Sequence, residues 1–255
     1  MMKHKTGATG PELYFFGIRA PYGRMGGRNR SLVQSYMALR RLIGWLGILL
    51  PLICVLGGML FAGLPCQGSI SFYYHSNMRD VFIGILGIVS VFLVTYKGEY
   101  AIDNIVTWVI GLAGAGVALF PTMGPVGAPV RVGPFLVRAG LADVVHLAAA
   151  AVFFLLLALN SIFLFTLSDE RGSAPGSNKK KRNVVYVCCG AVILLCLALF
   201  IVLPKVMGDG SFKEGSAVLI LEGVMLLAFG VSWLVKGETL LKDRKEKAEP
   251  APVQK

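Results

Sequence analysis

Six apolar segments constrain this chain more than any other feature of its sequence. They cover residues 42–64, 81–96, 105–120, 144–167, 184–203 and 216–235. A helix needs about 20 apolar residues to cross the hydrocarbon of a bilayer, and the second and third segments are short by that standard. None of the six alternates polar and apolar residues as the strands of a membrane barrel do. We therefore predict an all-α fold, a polytopic transmembrane bundle of six helices within residues 38–236.

Composition and charge agree with a membrane location. The 255 residues are 55% hydrophobic and only 15% charged, whereas about a quarter of the residues of a soluble domain are charged. A net charge of +11 can indicate nucleic-acid binding in a soluble protein. Here the basic residues flank the apolar segments, so we expect the lipid bilayer as the partner and no nucleic acid.

The distribution of basic residues predicts the orientation. With the N-terminus inside, 5 of the 25 Lys and Arg residues fall outside and the other 20 fall inside; the five are Arg79, Arg131, Arg138, Lys205 and Lys213. Cytoplasmic loops of membrane proteins carry the excess of Lys and Arg. We therefore predict a multi-pass protein of the bacterial inner membrane with both termini in the cytoplasm.

The terminal segments and one internal segment are polar. Residues 1–37 form a basic tail that is either disordered or the product of a misassigned start, because Met37 opens the basic-then-apolar run MALRRLIGWLG. Residues 237–255 form a second cytoplasmic basic tail. Residues 173–182 are interpreted as a linker ending in Lys179, Lys180, Lys181 and Arg182. These four cations either anchor the topology or bind anionic lipid.

Ionisable residues in or near the hydrocarbon are costly, so each requires a partner or a role. The three polar regions are the segment before the second helix, the start of the fourth helix, and a carboxyl group in the sixth; their residues are Ser71, His75, Arg79, Asp80, Asp143, His146 and Glu222. Simpler interpretations are a local ion pair, a helix cap and a neutral hydrogen-bonding strut. Under the predicted topology all three regions lie at the outer boundary, where they could line one outward-facing polar cavity. His75 and His146 together with carboxylates would suit zinc.

Five segments of the chain carry a resemblance to known families. They are SISFYYHSNMRDVFIG, GVALFPT, HLAAAAVFFLLLALNSIFLFT, KRNVVYVCCG and EGVMLLAFGVSWLVKGE. Together they resemble an uncharacterised family of bacterial multipass inner-membrane proteins over roughly residues 40–240. Ser71 and His75 also give a looser similarity to the CREST superfamily of transmembrane metal hydrolases, which includes ceramidases and the PAQR/hemolysin III proteins. The paired histidines in the last helix of that superfamily and its seventh helix have no counterpart here.

The sequence thus leaves three functional hypotheses. The first is an outward-facing polar site that binds a small molecule, a lipid headgroup or an ion. The second, implied by the looser resemblance, is a metal-dependent hydrolase of lipid amides or esters, with His75 and His146 as zinc ligands and Asp80, Asp143 or Glu222 as ligand or base. The third is a structural or partner-binding membrane subunit.

Overall fold

The structure is a computed structural model that describes residues 14–15, 18–19, 25–98, 101–167, 177–208, 210, 212 and 215–241. The chain divides into two compact units, Met1–Tyr36 and Met37–Lys255. In the first unit, β1 (Tyr14–Phe15) pairs antiparallel with β2 (Ile18–Arg19). Helix α1 covers Met25–Ala62.

The second unit is built from helices with one small hairpin. After α1 come a 3₁₀ turn at Ser71–His75, α2 (Arg79–Thr95) and α3 (Ala101–Leu119). Strands β3 (Arg131–Val132) and β4 (Val137–Arg138) form an antiparallel hairpin that leads into α4 (Ala139–Leu159). A π-helical turn, Asn160–Leu164, continues α4, and α5 (Ser177–Met207) and α6 (Ala217–Lys236) follow.

The predicted all-α character is confirmed, and within the described residues five helical stretches are long and apolar enough to cross a membrane. They are Ser35–Ala62, Ala101–Leu119, Ala139–Leu164, Asn178–Met207 and Ala217–Lys236. Helix α2 has 17 residues, which is about 25 Å at 1.5 Å per residue. It is the shortest of the six helices that correspond to the predicted segments.

Two helices extend beyond the predicted boundaries. Residues 25–37, predicted as part of a tail, belong to α1. The four cations 179–182, predicted to end a linker, belong to α5 because that helix begins at Ser177. Lys and Arg are good helix formers, so an apolar helix can continue into its basic flank. The remainder of that linker up to residue 176 and the C-terminal residues 242–255 lie outside the described part of the chain.

Glycines set the closest approaches between helices. A Cβ atom added to Gly44 of α1 would lie 2.8 Å from the carbonyl oxygen of Gly230 in α6, and one added to Gly230 would lie 2.6 Å from that of Gly44. Helix α3 also approaches its neighbour closely, because a Cβ at Gly111 would lie 2.7 Å from the carbonyl oxygen of Ser90 in α2. Such contacts between backbones are a common way for helices to pack in membranes.

The second unit has two ends that carry polar residues. At one, the 3₁₀ turn contacts the start of α6, and the loop after α3 contacts the start of α4; we call this the Ser71 end. At the other, side chains of α1 bond to the last residues of α6, and we call this the Arg40 end. Trp233, which is fully buried, packs there against the rings of Tyr96 and Phe165, with centroids 5.2 and 5.3 Å away.

Candidate functional site

Glu222 is the most deeply placed carboxyl group at the Ser71 end. Its Oε2 accepts hydrogen bonds from the backbone amides of Ile70 (2.5 Å) and Ser71 (3.3 Å), and its Oε1 accepts one from the Ser71 hydroxyl (3.2 Å). The amides at the start of a helical turn have no partner within the turn. The carboxyl group of α6 therefore caps the 3₁₀ turn from a distant part of the sequence.

The same segment also supports the start of α6. The amide of Leu219 donates a hydrogen bond to the carbonyl oxygen of Gly68 (2.9 Å), and it is one of the N-terminal amides that the helix itself cannot satisfy. Residues 68–71 thus form hydrogen bonds with the first two turns of α6, through the Gly68 carbonyl oxygen on one side and the Glu222 carboxyl group on the other. The hydrogen bonds of Glu222 thus go to Ile70 and Ser71, which precede the predicted site residues His75, Arg79 and Asp80 in the chain.

Three other predicted site residues hold one loop. His146 Nδ1 donates to the carbonyl oxygen of Phe120 (2.6 Å), and His75 Nε2 donates to that of Thr122 (2.9 Å). Asp143 Oδ1 accepts a hydrogen bond from the amide of Met123 (2.8 Å). We call these three side chains the loop clamp. They fix residues 120–123, where α3 passes into the hairpin, between the 3₁₀ turn and the start of α4.

The predicted single cavity is therefore divided. Ser71 and Glu222 lie in the interior beside a small apolar space of about 30 Å³ that also contacts Phe82 and Phe153. His146 is 2% exposed and its Nδ1 is directed to the loop. His75, Arg79 and Asp80 instead border an open groove between the turn and the β3–β4 hairpin.

This groove is an open feature of the Ser71 end with both polar and apolar walls. Its volume is about 690 Å³, within the range of about 300–1,000 Å³ that is usual for small-molecule sites. Apolar side chains from α2, α3 and the hairpin form much of its wall, and its polar groups come from the turn, α2 and β3; the charged members are Arg79, Asp80 and Arg131.

The two arginines of the groove lining come from different elements, Arg79 from α2 and Arg131 from β3. The Arg79 guanidinium lies 5.4 Å from the centre of the Tyr74 ring, and Arg131 Nη1 donates to the carbonyl oxygen of Leu136 (3.4 Å). Both side chains are exposed. With one carboxylate and two guanidinium groups, the charged lining has an excess of one positive charge. The groove therefore has cationic side chains beside an apolar wall, an arrangement that suits an anionic ligand with an apolar part.

The predicted zinc ligands do not form a metal site in this arrangement. One ring nitrogen of each histidine donates to a loop carbonyl, and the Ser71 hydroxyl donates to Glu222. Among the residues described, no three His, Cys, Asp or Glu side chains come together in a way that could hold a metal ion. The donor set of a zinc hydrolase, three ligands and an open position, is not assembled from the residues predicted for it.

A second polar group of residues, at the Arg40 end, did not figure among the predicted site residues. A small pocket there is bordered by residues of α1, α3, the π-helical turn, α6 and the adjoining loops; the seven lining residues are Arg40, Tyr96, Asp103, Asn160, Leu164, Phe165 and Lys236. Asn160 is 1% exposed, and its Nδ2 has no hydrogen-bond partner within the described structure. The next residue, Ser161, bonds through its hydroxyl to that of Ser232 (2.7 Å).

A signal for this second group was present in the sequence. Asn160 and Ser161 interrupt the apolar run FFLLLALNSIFLF, whose other residues are apolar. The π-helical turn that starts at Asn160 is a feature often found at functional sites. Asp103 lies within the first turn of α3, and the side-chain oxygen of the neighbouring Asn104 accepts a hydrogen bond from the Gly98 amide (2.8 Å).

Comparisons of this chain with protein-family models, with curated proteins and with solved structures find no match. The inferences about function that follow therefore depend on the residues described above and on their contacts.

Proposed function

We propose that this chain is a six-span inner-membrane protein whose outward-facing groove binds the anionic headgroup of a lipid. In this proposal α2 is the sixth span, and its 17 residues reach the lower limit of about 17 for a crossing helix. The Lys and Arg distribution supports an orientation with the Arg40 end and both termini in the cytoplasm and the Ser71 end outside.

The observation that carries the proposal is the pairing of two guanidinium groups with an apolar wall in one groove. Arg79 and Arg131 supply planar donors that match phosphate or carboxylate oxygens in pairs. Ile83, Leu119 and Leu136 supply the apolar side. An amphiphile whose headgroup is anionic satisfies both, since its charge meets the arginines while the start of its chain follows the apolar wall.

The position of the groove fits the same ligand. It is bordered by the first turn of α2 and by residues near the end of α3, and lipid headgroups lie at the level of such helix ends. The hairpin beside it exposes Phe135 and Leu136, at 60% and 62%. Large apolar side chains exposed beside a polar groove are typical of a surface that contacts lipid.

The predicted catalytic residues already make hydrogen bonds within the protein, and this favours binding over hydrolysis. His75, His146 and Asp143 hold the loop, and Glu222 holds the turn, so each has a structural partner. Metal analysis of the purified protein, paired with His75→Ala and His146→Ala, tests the hydrolase hypothesis separately. Stoichiometric zinc that is lost in either variant would favour the hydrolase.

A second lipid contact is proposed on the cytoplasmic side. Lys179, Lys180, Lys181 and Arg182 occupy the first two turns of α5. Cations at a helix N-terminus are opposed by the helix dipole, so anionic lipid around these turns would offset an unfavourable arrangement. We propose that these four cations bind anionic headgroups of the inner leaflet.

Native mass spectrometry of the full-length protein with defined lipids tests the groove. The purified protein is titrated with phosphatidylglycerol and phosphatidylcholine, and the affinity of each is measured. In the double variant Arg79→Gln/Arg131→Gln we expect the preference for phosphatidylglycerol to fall about tenfold, the loss of roughly one charge-assisted hydrogen bond. Arg138→Gln on the same hairpin, outside the groove lining, is the control and should keep the preference. An unchanged preference in the double variant would contradict the proposal.

A further inference from the structure

The groove at the Ser71 end is bordered by one carboxylate, that of Asp80, which is exposed in the first turn of α2. Among the residues that the structure describes, none forms a hydrogen bond or an ion pair with the Asp80 side chain. By contrast, the Asp143 carboxylate and the Glu222 carboxyl group each accept hydrogen bonds from backbone amides. The Asp80 oxygens are therefore available to a ligand in the groove.

Asp80 does not neutralise the arginine that precedes it in the chain. Residues adjacent in a helix do not face each other, and the Arg79 guanidinium lies instead 5.4 Å from the centre of the Tyr74 ring. The second cation of the lining, Arg131, donates to the carbonyl oxygen of Leu136. The groove thus presents cationic donors and an anionic acceptor as separate groups, which different parts of one ligand can contact.

The polar side chains beside Asp80 in the lining make hydrogen bonds to the protein backbone. The Ser76 hydroxyl donates to the carbonyl oxygen of Tyr73 (2.8 Å), and one ring nitrogen of His75 donates to that of Thr122 (2.9 Å). A carboxylate can accept two hydrogen bonds side by side, one on each oxygen. Two hydroxyl groups on adjacent carbon atoms of a ligand can supply both donors.

The net charge of the lining favours hydroxyl groups over an ammonium group as the donors to Asp80. Two guanidinium groups and one carboxylate leave an excess of one positive charge. A headgroup that carries an ammonium beside its phosphate has no net charge and would leave this excess uncompensated. Hydroxyl groups supply the donors and leave the headgroup negative.

We propose that Asp80 selects the headgroup in the groove by accepting hydrogen bonds from the vicinal diol of a phosphoglycerol group, while Arg79 and Arg131 contact its phosphate. This inference rests on the proposed function of the groove, because it requires an anionic lipid there. Free glycerol phosphate has the same polar chemistry, whereas the apolar wall of Ile83 and Leu119 favours the lipid.

Native mass spectrometry of the full-length protein tests this with two lipids of equal charge. Phosphatidylglycerol carries the diol, and phosphatidylethanol carries the same charge without a hydroxyl group. We expect the wild type to bind phosphatidylglycerol about tenfold more tightly, the contribution of roughly one charge-assisted hydrogen bond. Phosphatidylcholine reports in the same experiment whether anionic lipids are preferred at all, which is the claim of the proposed function.

The diagnostic quantity is the ratio of the two affinities, because removal of the Asp80 charge strengthens the binding of both anionic lipids. Asp80→Ala should bring this ratio close to unity. Asp80→Asn keeps one acceptor oxygen and should retain part of the preference. Glu238→Gln removes a carboxylate just after α6, outside the groove lining, and should keep the wild-type ratio. Circular dichroism and size exclusion establish that each variant is folded.

Equal affinity of the wild type for phosphatidylglycerol and phosphatidylethanol, with both bound more tightly than phosphatidylcholine, would overturn the role of Asp80 and leave the proposed function standing. No preference of either anionic lipid over phosphatidylcholine would overturn both. A wild-type ratio in folded Asp80→Ala, or tighter binding of phosphatidylethanolamine than of phosphatidylglycerol, would also overturn the role of Asp80. Displacement of phosphatidylglycerol by soluble glycerol phosphate would support recognition of the diol with a free ligand, and its retention would support the lipid.

Discussion

The Glu222 carboxyl group of α6 accepts hydrogen bonds from both the backbone amide and the hydroxyl of Ser71, at 3.3 and 3.2 Å. With the bond to the Ile70 amide, this joins the last helix to the turn between α1 and α2. One of the three carboxyl groups considered as a zinc ligand or base thus has structural partners, and this contact gives the first prediction.

Replacement of Glu222 should destabilise the protein according to the acceptors that remain. Glu222→Leu leaves the buried amide of Ile70 without an acceptor, at a cost of about 1–3 kcal/mol. Glu222→Gln keeps one carbonyl oxygen and should cost less. Thermal unfolding of the purified variants ranks them by stability. Ile220→Ala, at a position 60% exposed, is the control and should change the midpoint least; equal midpoints for Glu222→Leu and the wild type would refute the capping role.

The Asp143 carboxylate should protect one amide of the loop. Since its Oδ1 accepts the hydrogen bond of the Met123 amide, Asp143→Ala should increase hydrogen exchange in residues 120–123, and Asp143→Asn should increase it less. Hydrogen–deuterium exchange read by mass spectrometry measures this. Asp80→Ala is the control, because Asp80 borders the groove and has no recorded bond to the loop. If exchange in residues 120–123 were the same in Asp143→Ala as in the wild type, contacts other than the Asp143 carboxylate would be holding the loop.

The two histidines should differ in their effect on stability. His146 is 2% exposed whereas His75 is partly exposed. His146→Ala therefore removes a buried hydrogen bond and opens a cavity, and should cost about 2–4 kcal/mol. His75→Ala should cost about 0.5–1.5 kcal/mol, the usual value of one hydrogen bond. Thermal unfolding midpoints of both variants test this order. A larger loss of stability in His75→Ala than in His146→Ala would contradict the burial of His146.

The contact of α1 with α6 should not tolerate a methyl group. In Gly44→Ala the new Cβ would lie 2.8 Å from both the Gly230 oxygen and Leu234 Cγ, so we expect a loss of about 1–3 kcal/mol from overpacking. Gly87→Ala is the matched control in α2, where a Cβ meets no atom within 4 Å. It should be neutral or slightly stabilising because alanine favours a helix over glycine. Similar unfolding midpoints for the two variants would mean that the helices do not approach so closely.

The sequence was sufficient for the helices because hydrophobic length is a local property. The apolar segments located α2, α3 and α6 to within a few residues. The ends of α1 and α5 were wrong, since the sequence shows where apolar residues stop but a helix can continue through the basic residues beside them.

The site could be predicted only in part because hydrogen-bond partners depend on packing. Helical spacing placed Asp143 and His146 on one face, but nothing local indicated that their partners are main-chain groups of residues 120–123. Glu222 was identified from its cost in an apolar helix, whereas its partner Ser71 lies 151 positions away. Asn160 carried the same kind of signal, and it was missed because the surrounding phenylalanines and leucines dominated the interpretation.

Both proposed sites depend on the side of the membrane that each end of the bundle faces, and cysteine labelling in intact bacterial cells tests this most directly. The background variant carries Cys66→Ser and Cys188→Ser, and one new cysteine is introduced at a time. The three positions are Lys97 between α2 and α3, the fully exposed Val126 after α3, and Leu240 just after α6. With a membrane-impermeant maleimide, we predict labelling of Val126→Cys in intact cells, and labelling of Lys97→Cys and Leu240→Cys only after permeabilisation. Labelling of Leu240→Cys in intact cells, or of Lys97→Cys and not Val126→Cys, would contradict the six-span topology with both termini inside.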